Sequence, residues 1–171
     1  MADFNRHAKV HNLFQPDGEL VNDGQDLTHE WWLSMPAFDG ARAFYDNVVT
    51  LADEYNASRV MFVTGAKRNA GSYSGKVDWV QKFLPERGNR ILYEFITCPK
   101  YQKWLLAGPR RILIDDNKKV VDRFTEAGGI GILHEGDYAQ TLAKLKAALE
   151  MLNVQPASDN RLPPSPAPGP N

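Results

Sequence analysis

The chain has 171 residues, 43% of them apolar and 24% charged, enough for one compact domain with a real core. Lysine and arginine number 20 against 21 aspartates and glutamates, so the overall charge makes no case for nucleic acid or an acidic membrane surface, and any phosphate chemistry has to be local. Cys98 is the only cysteine, which excludes an internal disulfide and a cysteine-built zinc site and fits a reducing compartment; its expected role is that of a small buried apolar residue.

In chain order, Asp3 to Leu13 reads as a helix. Gln15 to Thr28 is polar and carries glycines and carboxylates, as a loop or an irregular cap would. From Gly40 onward, Ala41, Phe44, Tyr45, Val48, Val49, Ala52 and Tyr55 recur at helical spacing. A strand is predicted over Arg59 to Val63; its Val60-Met61-Phe62-Val63 run is apolar throughout and stops at Thr64-Gly65-Ala66, as a buried parallel strand opening into a site-forming loop would. Val77, Val80 and Phe83 belong to a following helix, and a second strand is predicted over Ile91 to Ile96. Pro99 then starts a short helix reaching Leu106, and Ala107-Gly108-Pro109 ends it. The third predicted strand, Arg111 to Ile114, delivers Asp115-Asp116 at its carboxyl end. A helix with Val120, Val121 and Phe124 closes at Gly128-Gly129, a fourth strand spans Ile130 to His134, and Tyr138, Leu142, Leu145, Leu149 and Leu152 stripe a terminal helix. The last stretch, Gln155 to Asn171, is rich in proline and small residues and is expected to be a disordered tail. No apolar run approaches the ~18 residues of a membrane helix and no secretory signal opens the chain, so a soluble, cytoplasmic protein without membrane or nucleic-acid partners is expected.

Alternating helical and strand periods describe an α/β domain with a Rossmann-like parallel sheet, and in such sheets ligands bind at the carboxyl ends of strands. Thr64, Lys103 and Asp115-Asp116 are predicted to come to that edge, in that order. A hydroxyl with free amides beside it can cradle phosphate, Gly65 lets backbone approach closely, a lysine supplies a point charge, and carboxylates hold a hard cation. Each also has a plainer reading: threonine as a helix cap, lysine as a solvated side chain, the aspartates as a helix start. Two adjacent carboxylates after Ile112-Leu113-Ile114 nevertheless repel one another unless a cation or a hydrogen-bonding shell offsets them. Receiver domains of two-component signalling use similar residues but place the acidic pair first. His7, His11, His29 and His134 show no metal-site spacing, although His7 and His11 could share a helix face.

Threonine, lysine, then paired aspartates is the order of the second to fourth motifs of the haloacid dehalogenase superfamily, which this sequence resembles. Within it the 5'(3')-deoxyribonucleotidases are most similar, on MFVTGA, KWLLAGPRRILIDDNKKV and AGGIGILHEG, with further likeness in the helix through Gly75-Lys76-Val77-Asp78-Trp79. The Lys-x-x-x-Ala-x-Pro pattern and a spacing of twelve residues to Asp115 favour Lys103 over Lys100. The resemblance implies a HAD-like sheet over residues 1–154, a small helical cap in about residues 5–40, and magnesium-dependent hydrolysis of nucleoside 5'-monophosphates through an aspartyl-phosphate. Thr64 and Lys103 would hold phosphoryl oxygens, Asp115 and Asp116 would bind or orient Mg2+, and Phe4, Gly65 and Arg68 would contact substrate. Trp31 and Trp32 align near family aromatics and are expected to pack. The pattern also departs from the family: the first strand and its Asp-x-Asp motif, which supplies the nucleophile, have no counterpart, and the likeness begins at Met1-Ala2-Asp3-Phe4. The expectation is therefore a missing first strand, a start assigned at an internal methionine, and an inactive chain as it stands. Alternatives are a catalytically dead nucleotide-binding or regulatory module, and a polynucleotide 3'-phosphatase or sugar phosphatase. The oligomeric state is left open.

Overall fold

The computed structural model describes residues 27–57, 59–65, 67 and 69–154. Phe4, His7, His11, Arg68, the part of the expected cap before Leu27 and the tail at 155–171 lie outside the described residues.

Those residues form a mixed α/β structure of helices and short parallel strand pairs. The order is α1 (His29–Leu33), α2 (Ala41–Glu54), β1 (Phe62–Gly65), α3 (Ala70–Phe83), a 3₁₀ segment (Pro85–Tyr93), β2 (Phe95–Cys98), a second 3₁₀ segment (Lys100–Leu106), β3 (Ile112–Asp115), α4 (Lys118–Glu126), β4 (Ile130–Leu133) and α5 (Tyr138–Val154). Helix starts follow local chemistry. The Thr28 hydroxyl accepts from the Trp31 amide at the head of α1, Asn69 accepts from the Ser72 amide at 2.6 Å at the head of α3, and Asn117 accepts from the Val120 amide at 3.3 Å at the head of α4.

Among the described residues the strands make two parallel pairs and no single sheet. β1 pairs with β2 in the register Phe62 to Phe95 through Gly65 to Cys98, and β3 pairs with β4 from Ile112 to Ile130 through Asp115 to Leu133. Each pair has its own core. Leu27, Trp32, Met35, Tyr45, Trp79, Val80, Leu84 and Ile91 cluster beside the first pair, with Phe62 and Phe95 packed on them. Ile132, Leu145, Ala148 and Leu149 gather under the second pair, and Leu113, Val120 and Phe124 form a third cluster.

Two glycines fix how α1 sits on α3. A methyl group at Gly71 would stand 2.7 Å from the His29 amide, and one at Gly75 would stand 2.6 Å from both the His29 carbonyl and the Trp32 Cβ. Only a bare Cα allows that contact, and it delivers Trp32 to the interior. The Trp79 indole locks the approach by donating to the Met35 carbonyl at 2.7 Å.

Several predicted boundaries move. β1 begins three residues later than expected, and it runs on past Val63 because Thr64 and Gly65 pair with Thr97 and Cys98. The second strand begins at Phe95, and residues from Pro85 form 3₁₀ turns instead. Ile91 there is wholly buried, while Glu94 at the corner is held by Arg87 and, at 3.2 Å, by Arg90. An apolar run has no period from which a turn packed into a core can be told from a strand. Nor is β1 a buried strand: all four of its residues are half-buried. No helix of the described residues is long and apolar enough to cross a membrane.

Candidate functional site

Between the two strand pairs lies a cleft of ≈ 1840 Å³. Its walls include Thr64 and Gly65 of β1, Asp115 and Asp116 at the end of β3, and Lys67, Lys76 and Lys103. The carboxyl ends of β1 and β3 meet at one rim, where Lys103 ties them together. Its ammonium donates to Asp115 Oδ2 at 2.7 Å and to the Val63 carbonyl at 3.0 Å. Lys103 is 8% exposed and Asp115 is 9% exposed, so this ion pair is shielded from water.

Thr64 follows Val63 directly, half-buried, which puts its hydroxyl-bearing residue next to the Lys103 contact. Lys100, the competing lysine, is exposed and lies over the Tyr101 ring at 5.8 Å. The structure thus brings together Thr64, Lys103 and Asp115, with Asp116 beside them and exposed. Phe4 and Arg68, the other predicted contacts, lie outside the described residues.

Gly65 also has a packing role. A Cβ there would stand 3.0 Å from Lys100 Cβ and 3.1 Å from Lys100 Cα, so its bareness accommodates the start of the second 3₁₀ segment. Its carbonyl takes a hydrogen bond from the Lys76 ammonium.

Lys76 is the residue that sequence reasoning passed over as a site member. It projects from α3 between Ser72, Gly75 and Trp79, all buried, and its ammonium stands 4.4 Å from the Trp32 ring centroid. Burial pulls its pKa from 10.5 to about 8, and the nearby charges of Lys103 and Lys67 push the same way. A lysine on the inward stripe of a helix was the available signal. Ser72, fully buried, accepts from the Lys67 amide at 2.9 Å and shapes the loop between β1 and α3.

Asp115 is fully engaged. Besides Lys103, its Oδ1 accepts from the Asn117 amide at 2.9 Å. Asp116 has neither hydrogen bond nor ion pair among the described residues. Magnesium commonly binds through one or two carboxylates plus waters and substrate phosphate, so Asp116 fits as a direct oxygen ligand, with Asp115 an orienting neighbour. Among the described residues no group of three or more metal-binding side chains gathers.

Three other predicted residues have structural roles. Trp31 and Trp32 meet edge to face at 4.9 Å, and His134 packs against both Phe44 at 5.7 Å and Tyr138 at 5.1 Å while its Nδ1 lies 2.8 Å from the Thr141 hydroxyl. Burial lowers the His134 pKa and raises that of the half-buried Cys98 thiol. Searches found no matching protein-family model, curated protein or solved structure for this chain.

Proposed function

We propose that this chain carries the phosphate-holding part of a magnesium-dependent phosphate monoester hydrolase of the haloacid dehalogenase type, with a Rossmann-like sheet and nucleoside 5'-monophosphates as its substrate class. One observation carries the reading: Lys103 joins the carboxyl ends of β1 and β3, reaching Asp115 at 2.7 Å and the carbonyl preceding Thr64 at 3.0 Å. Substrate class and superfamily come from the sequence resemblance.

Phosphoryl transfer needs positioning and neutralisation of spread negative charge more than covalent work by the protein. Thr64 donates its hydroxyl to one phosphoryl oxygen, and Lys103 supplies a fixed positive charge that the Val63 carbonyl and Asp115 hold in place. Lys76, half-buried and bonded to the Gly65 carbonyl, adds charge at the end of β1 when protonated. Asp116 would hold magnesium, which supplies further neutralisation of the phosphoryl oxygens. Asp115 has both oxygens committed, so it orients Lys103 and does not attack phosphorus.

The commitment of Asp115 also favours a second reading, a nucleotide-binding module that holds phosphate without hydrolysing it. Both readings require anion binding at the rim. Titration of the chain with inorganic phosphate and a deoxynucleoside monophosphate, each with magnesium, should show binding that Thr64→Val and Lys103→Arg each weaken by about tenfold or more, as loss of a bond to a charged group would. Phosphate binding that is absent, or indifferent to both substitutions, sinks both readings. A panel of phosphate esters separates them, since turnover belongs to the hydrolase alone.

A further inference from the structure

The whole-chain balance of 20 basic to 21 acidic residues hides a local excess. From Phe95 to Ile114 the chain carries Lys100, Lys103, Arg110 and Arg111 and no carboxylate. Lys103 turns inward to Asp115, but its neighbours on the second 3₁₀ segment do not: Tyr101 is 51% exposed, Trp104 40% and Leu105 60%. Three residues make a 3₁₀ turn, so Tyr101 and Trp104 fall on one face, one above the other. Three cations are fixed around that face. The Lys100 ammonium lies over the Tyr101 ring at 5.8 Å, Arg123 of α4 donates to the Tyr101 carbonyl at 3.2 Å, and Arg111 donates to the Leu106 carbonyl at 2.9 Å. All three are exposed, and among the described residues none has a carboxylate partner, whereas the nearby Lys118 is held by Asp122 at 2.7 Å. Each guanidinium gives one nitrogen to a carbonyl and keeps the rest of its planar fork for an anion.

We propose that Tyr101, Trp104 and the cations around them form a binding surface for single-stranded nucleic acid, with bases stacked on the two rings and phosphates on Lys100, Arg111 and Arg123. An exposed ring accepts any base by its face, and rings set among fixed positive charges suit a strand whose bases are free. A duplex keeps those faces stacked on one another. An acidic peptide would answer the charges and leave the rings unused, and a membrane surface calls for a broad apolar helical stripe that a seven-residue segment lacks. The proposal departs from the expectation set by overall charge, because a strand feels charge locally, within a Debye length of about 8 Å at physiological salt. It also stands apart from the hydrolase reading. Tyr101, Trp104 and Arg123 are not among the residues that line the cleft, although Lys100 and Arg111 are.

The probe is a fluorescein-labelled oligothymidylate of about ten nucleotides, a typical length for such sites, with no terminal phosphate monoester to seek the rim. Its anisotropy is followed as the full chain is added. Log K should fall against log salt with a slope of about −2, as three neutralised phosphates on a single strand would give. Trp104→Ala and Tyr101→Ala should each weaken binding about tenfold, while Trp104→Phe keeps most of it. Arg111→Gln combined with Arg123→Gln should bring the slope to about −0.7. Both arginines are exposed and outside the apolar clusters, so this variant tests the surface even if Trp104→Ala disturbs packing. The proposal is overturned if the oligonucleotide fails to bind at low salt, or if binding is indifferent to Trp104→Ala and to the double arginine variant. It is equally overturned if Thr64→Val weakens binding as much as Trp104→Ala does, which would put the strand in the cleft, or if phosphatidylserine vesicles or polyglutamate take the same surface more tightly. Inorganic phosphate binding at the rim is a separate measurement, so either site can fail alone.

Discussion

The β1–β2 pair and the β3–β4 pair share strand length and parallel sense, yet they are covered very differently. In β3, Leu113 and Asp115 are buried, Leu113 against Val120 and Phe124 of α4, and Ile132 of β4 is buried among α5 residues. In β1 and β2 every residue is half-buried, although the Phe62 ring stacks on Tyr45 at 5.4 Å. The difference lies in where the connecting helices go. α4 and α5 fold back onto the strands that precede them, whereas α3 gives its Gly71–Gly75 face to α1. Parallel pairing by itself does not exclude water; covering helices do.

The sharpest way to break this comparison is a matched truncation of one aromatic on each side. Phe124→Ala should lower unfolding free energy by about 4 kcal/mol, and Phe62→Ala by about half as much, because Phe62 leaves less surface to re-expose. Equal losses in urea unfolding would show that the halves are equally consolidated. A somewhat smaller effect is expected at the join between them. Asp115→Ala leaves the Lys103 ammonium buried without its carboxylate and should destabilise by about 3 kcal/mol, and Asp115→Leu with Lys103→Met should recover most of it. If the double variant is no better than the single, the pair is not the tie described above.

Lys76 gives a pH-dependent effect on the β1 side. Its folded pKa of about 8 lies below the ordinary 10.5, so between those values the unfolded chain holds the proton and the folded chain does not. Stability from this group therefore rises with pH over that window, and Lys76→Met should remove that part of the slope in thermal melts. Anion binding runs the other way. Sulfate, whose charge is constant there, should bind about tenfold more weakly at pH 9 than at pH 7 wherever its contact is the protonated lysine. The smallest effect belongs to the exposed Arg42, 3.1 Å from Asp46 and 2.9 Å from Glu86; Arg42→Ala should leave the urea midpoint almost unchanged, because solvent screens both pairs.

The sequence marked candidate residues where chemistry and strand ends coincide. Thr64 and the Asp115-Asp116 pair stand out because each follows an apolar run, and the motif order of the resemblance then joined Lys103 to them. It did less well where burial contradicts residue type. Lys76 reads as a surface residue until Gly71 and Gly75 are seen to draw α1 against α3, which encloses it beside Trp32. Ile91 to Tyr93 reads as strand because an apolar run has no period to betray a turn.

Amino-acid order alone determined the alternation of helices and strands and the candidate phosphate residues, since these depend on neighbours a few positions away or on motif order along the chain. Tertiary structure decided that the strands form two pairs with a cleft between them, that Lys103 bridges β1 and β3, and that Asp115 has both oxygens engaged. Those outcomes depend on contacts between residues as distant as Val63 and Lys103, forty positions apart, whose approach is fixed by packing and by the hydrogen bonds left for buried groups to make.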